Sequence, residues 1–176
     1  MTNATPSRMT TRVLLGAIAG FVATAAMTSA MARLHRRLPG SERYPLPPRE
    51  ITQRVLGGAD DLLVRDEAMP AHFLYGAASG ALVNAIRPRP SVREGALAGV
   101  GIWAGSYFGW VPALGILKPA SAHPLRRNAL MVGVHLVWGA ATSLVLKELK
   151  LARVTILQPG PLRDAPQPNA DGSADQ

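Results

Sequence analysis

Charge is missing from four stretches of the chain: Val13–Ala32, Ala68–Ile86, Gly95–Leu117 and Asn128–Leu146, which run 20, 19, 23 and 19 residues. A helix rises ~1.5 Å per residue, so ~20 residues cross a ~30 Å hydrocarbon layer. One such run suits the core helix of a soluble domain. Four, with nearly every charge outside them, predict an all-α, integral membrane four-helix bundle with helices over 12–33, 68–86, 91–117 and 127–150. The longest connection holds RYPLPPREITQRVLGG. There Pro48 suits a first helical turn, Ile51, Val55 and Leu56 share a face, and Gly57-Gly58 supply a stop, which predicts a short interfacial helix over 48–57. Residues 1–11 are polar and read as a flexible N-terminus. Residues 154–176 are rich in Pro, Asp and Gly and read as a disordered tail, leaving 12–153 as the transmembrane domain.

Small residues recur at four-residue spacing in every run: Gly16 and Gly20, Gly76 and Gly80, Gly95 and Gly99, then Gly101, Gly105 and Gly109, and Gly139 with Ser143 in the last, which also holds Gly133. Glycine weakens a helix in water by about 1 kcal/mol relative to alanine. In lipid, helices associate through close van der Waals contact, and small residues let backbones approach. All eleven glycines are therefore read as helix-packing positions. In the third run Trp103, Tyr107 and Trp110 lie opposite the 101/105/109 row. The spacing predicts a bare face against a neighbouring helix and an aromatic face toward lipid or headgroups.

Two segments repeat. HFLYGAAS begins at His72 and HLVWGAAT at His135, while GAIAG and GALAG open the first and third runs. This predicts a two-plus-two parallel repeat, with His72 and His135 at equivalent positions on parallel helices. An ionisable residue within a span is a functional hypothesis. Two facing imidazoles make His72 and His135 weak candidates for a metal or haem site. The plain alternative is that each histidine bonds a backbone carbonyl or a Ser on the next helix. No cofactor is predicted. Asn84, Ser106 and Tyr107 join the two histidines as intramembrane polar residues. His35 and His123 are read as solvated loop residues, and Asp66-Glu67 as suited to the positive N-terminal end of the second helix.

The net charge of +8 changes the picture little, because the basic residues flank apolar runs and form no stripe with aromatics. They fit anionic lipid headgroups, and nucleic acid is not an expected partner. With no cysteine, disulfide and thiol chemistry are excluded. The first run is longer than the usual ~7–15-residue signal-peptide core and is followed directly by Arg33, Arg36 and Arg37, so helix one is read as retained. Lys and Arg near the spans favour, by eight to seven, the side holding both termini, which places the termini in the cytoplasm. Motifs for hydrolases, zinc proteases and nucleotide binding are missing, so an enzyme is not the expectation.

GAIAG, then PLPPR (Pro45–Arg49), GALAG, Pro112-Ala-Leu-Gly115 leading to Pro119, and HLVW (His135–Trp138) follow one another in an order that resembles the YagU-like bacterial inner-membrane proteins. The resemblance spans roughly residues 13–146 and implies a multi-pass inner-membrane protein without assigned catalytic residues. Three readings follow. The first is a small structural or adaptor-like protein, associating with itself or a membrane partner through its glycine seams. The second is a small transporter or channel component with a polar path near His72, Asn84 and His135. The third is a metal- or haem-binding redox protein using the two histidines.

Overall fold

The computed structural model describes residues 8–57, 60–158 and 160. The chain is all-helical, with no strand among the described residues. Helix α1 spans Arg8–His35, α2 Pro47–Val55, α3 Asp61–Ile86 and α4 Val92–Ala104. One wide π-turn, Gly105–Trp110, and a last turn, α5 (Val111–Ala113), continue α4, and α6 spans Leu125–Val154. α1 and α6 are each long and apolar enough to cross a membrane.

Several boundaries differ from expectation. α1 starts at Arg8, so residues 8–11, expected in the flexible N-terminus, belong to its first turn. Val154 closes α6; residues 1–7 and most of the predicted tail lie outside the described residues. α3 begins at Asp61, seven residues before the apolar run. No breaker separates Asp61 from the apolar stretch, so the helix runs on through Arg65, Asp66 and Glu67, and those acids lie beyond its first turn. The third predicted helix is divided. Pro112 has no N–H for the Phe108 carbonyl, and the preceding turn widens so that Val111 donates to Ser106, five residues back. Gly115, at φ +67°, then ends the segment, with Ile116 N–H bonding the Val111 carbonyl at 3.1 Å.

The helices pack in the order α3–α1–α6–α4, and α3 scarcely touches α4. Glycine decides the two tightest pairs. Gly16 faces Gly80 and Gly20 faces Gly76 across α1 and α3; Gly95 faces Ser143 and Gly99 faces the His135–Gly139 turn across α4 and α6. The two pairings are antiparallel and in matching register. A Cβ on Gly16 would stand 2.5 Å from the Gly80 oxygen, and one on Gly80 only 2.7 Å from the Gly20 Cα. The hairpins join where the Trp138 indole donates to the Gly20 carbonyl at 3.2 Å.

Gly101, Gly105, Gly109 and Gly133 have no atom near the place a Cβ would occupy. The expected bare packing face of α4 is thus its outer face, while Trp103 and Tyr107 are buried and Trp110 is 40% exposed. The reason is angular. Gly95 and Gly99 share a stripe with Trp103 and Tyr107, whereas Gly101 lies ~200° from Gly99. Only one glycine row can meet α6. Substituting Gly20→Val should therefore destabilise the fold by about 1–3 kcal/mol through backbone overlap. Gly101→Ala should be neutral or stabilising by up to ~1 kcal/mol. Thermal unfolding of the two variants in one detergent checks the contrast.

Candidate functional site

The same stripes that begin with glycine end in large side chains. On α6, Arg127, Met131, His135, Gly139 and Ser143 recur every fourth residue; on α3, His72, Gly76, Gly80 and Asn84 do so. Helices that touch backbone to backbone at the glycines must diverge where the stripe turns to His, Met, Trp and Tyr. A cavity of about 240 Å³ fills that divergence, slightly below the ~300–1,000 Å³ of typical small-molecule sites. His72 and His135 both line it, each one turn from the glycine contact, on parallel helices. Met31 of α1 and Met131 of α6 form its floor, and Trp103, Ser106, Tyr107 and Trp110 its wall. Tyr75 and Ser106 bond across its rim at 2.6 Å.

The polar inventory of the cavity is incomplete. Nδ1–H of His135 donates to the Met131 carbonyl at 2.7 Å, which leaves Nε2 of the neutral ring as an acceptor. The Tyr107 hydroxyl has the Arg127 guanidinium beside it, while His72 Nε2 and Trp103 Nε1–H are buried without a hydrogen-bond partner. Leaving such groups unpaired costs roughly 1–3 kcal/mol each. An indole N–H and a phenol that can donate, with imidazole nitrogens that can accept, suit a molecule holding both kinds of group on an apolar frame.

Helix α2 roofs the cavity through Pro47, Pro48, Ile51 and Thr52. It starts at Pro47, with both prolines in the first turn, and its buried face holds Thr52 while Val55 is 67% exposed. The single apolar face of Ile51, Val55 and Leu56 expected for an interfacial helix is thus divided between cavity and exterior. Arg127 fastens the roof. Its side chain is 1% exposed, donates to the Pro45 carbonyl at 2.9 Å and to Glu50 at 2.7 Å, and lies 3.9 Å from the Tyr44 ring centre. Nε2–H of His123 donates to the Lys118 carbonyl at 3.3 Å, so its Nδ1 accepts from the Tyr44 hydroxyl, also at 3.3 Å. His35 donates to the Tyr44 carbonyl at 3.3 Å. Both histidines expected to be solvated are therefore held in the roof network.

Of the five predicted polar residues, the structure gathers His72, Ser106, Tyr107 and His135 in this cavity. Asn84 is elsewhere, fully buried near the opposite end, and donates to the Arg12 carbonyl at 2.7 Å. Among the described residues no third His, Cys, Asp or Glu joins the two histidines as a metal-binding group. Arg127 and Glu50 were not legible as site residues, because Arg127 reads as an ordinary flanking charge. Its place on the Met131–His135–Gly139 stripe is the signal that points it inward.

No family model, curated protein or solved structure matches the chain. Function must be read from the cavity and its surroundings.

Removing Glu50 alone leaves a buried guanidinium without its counter-charge. Glu50→Ala should cost about 2–3 kcal/mol, less than the ~3–5 of a fully buried pair because the Glu50 carboxylate keeps some contact with water. Adding Arg127→Leu should recover most of the loss, and a double-mutant cycle by thermal unfolding measures the coupling.

Proposed function

We propose that the chain is a four-span protein of a bacterial inner membrane that holds a small, largely apolar molecule between His72 and His135. The observation that carries the ligand reading is one apolar cavity lined by four residues with polar groups, His72, Trp103, Tyr107 and His135, of which His72 Nε2 and Trp103 Nε1 have no hydrogen-bond partner. An apolar pocket with a few polar groups suits a binding or transport protein. The second reading of the sequence is thereby favoured over the adaptor, with the polar path narrowed to His72, Ser106, Tyr107 and His135.

The membrane assignment draws support from the placement of side chains. Leu74, Leu82 and Ile86 on α3, and Leu97 and Phe108 along α4 and its continuation, point outward and are exposed. Thr24, Ser79, Thr142 and Ser143 are buried. A surface of large apolar residues around an interior of small and hydroxylated ones suits a hydrocarbon solvent. α3 and the divided third segment complete four crossings alongside α1 and α6. The resemblance to the YagU-like proteins agrees with the inner membrane.

Four crossings put both termini on one side. Because the chain has no cysteine, single cysteines at Ser7, Ser41 and Ser91 can be labelled cleanly in intact cells. Ser41 should react from the periplasm, and Ser7 and Ser91 only after lysis. Labelling of Ser41 and Ser91 from the same side would exclude the topology.

Two of the three tryptophans, Trp103 and Trp110, line the cavity, so binding should alter their fluorescence. A single-ring phenol, which both donates and accepts, should quench it saturably in purified protein. Tyr107→Phe should weaken binding about tenfold, the loss of one hydrogen bond. His135→Leu should abolish it. Quenching that never saturates, or that both variants leave unchanged, would sink the proposal. Co-purified iron, zinc or copper lost in His135→Leu would instead transfer the site to a metal.

A further inference from the structure

At the end of the molecule opposite the cavity, the start of α1, the α3–α4 turn and the end of α6 surround an open basin of about 1,130 Å³. Its walls carry Arg12, Arg87, Arg89, Lys147, Lys150 and Arg153. Among the described residues only Arg87 of these six pairs with a carboxylate, that of Glu94. The remaining cations face one another without a counter-charge. Like charges gathered at a surface repel one another, so an anion placed among them gains from several at once.

The basin has a fixed floor. Asn84 is fully buried. Its amide N–H donates to the Arg12 carbonyl at 2.7 Å and its oxygen accepts from the Lys150 ammonium at 3.3 Å. Lys150 also donates to the Pro88 carbonyl. One ammonium is thereby held at the junction of α1, α3, α6 and the α3–α4 turn, with a third hydrogen left to give. Pro88 and Pro90 stiffen the turn that presents Arg87 and Arg89. Arginine forks and a positioned ammonium are the donors that recognise phosphate oxygens.

We infer that this basin is a binding site for a phosphate group. Its place at the ends of helices long enough to cross a membrane suits the headgroup of an anionic phospholipid, and a free phosphate offers the same oxygens. Asn84, expected on a transport path, is the residue that anchors the floor of this second site.

The test is thermal unfolding of the full chain in neutral detergent with added cardiolipin, phosphatidylcholine or inorganic phosphate. Cardiolipin should raise Tm by about 5 °C over phosphatidylcholine. Arg89→Gln with Lys147→Gln, both exposed and outside the floor, should remove more than half of that rise. Arg36→Gln with Arg37→Gln, which removes equal charge from the other end, should keep it. A rise with cardiolipin alone identifies a lipid headgroup, and an equal rise with inorganic phosphate identifies a free phosphate. No rise with either, or a rise that the two double variants reduce equally, would overturn the site.

Discussion

Backbone contact between glycines is the constraint from which the rest of this molecule follows. Where Gly20 meets Gly80 and Gly99 meets the turn before Gly139, the facing helices touch backbone to backbone. Two pairs pinned this closely at one level cannot stay parallel-sided once the stripes continue into His72, Trp103, Tyr107 and His135. They open, and the opening is the cavity. The fine adjustment comes from Pro112, whose missing donor widens the turn before it and carries Ser106 and Tyr107 to the wall.

Much of this was legible in the spacing of small residues. The runs GAIAG, GAASG, GALAG and GAATS announce close helix contact, and the HFLYGAAS/HLVWGAAT repeat places two histidines at equal depth. What spacing could not decide was which of two glycine rows on α4 faces inward, since both satisfy the same four-residue rule. The partner stripe on α6 settles it. Arg127 was hidden for a different reason: at the edge of an apolar run, a cation that caps a span and one that folds back onto Glu50 look alike. Only the tertiary approach of Pro45 and Tyr44, some eighty residues away, separates the two.

The two ends treat charge differently. At the roof, Arg127 meets Glu50, Arg49 meets Asp61, and Arg43 donates to the Leu38 and Arg36 carbonyls. The same end also carries Glu42, Asp60, Asp66 and Glu67, whereas among the described residues the basin end has only Glu94 and Glu148. A count of Lys and Arg therefore understates the electrical asymmetry of the molecule, because the number of positive residues on each side is nearly equal while the number of acids that offset them is not.

The repeat is unequal in one respect. Its symmetry would give α3 and α4 a contact like that of α1 and α6, but those two barely meet across a gap: at the cavity end Tyr75 bonds Ser106 and packs on Trp110, and at the other end Arg87 pairs with Glu94. For a chain lying in a bilayer, that gap faces the acyl chains. A guest would come in sideways, out of the hydrocarbon, and would never need to cross the roof. Its concentration at the door would then be set by how strongly it dissolves in lipid, so that a pocket of modest intrinsic affinity could stay filled by a compound scarce in the surrounding water.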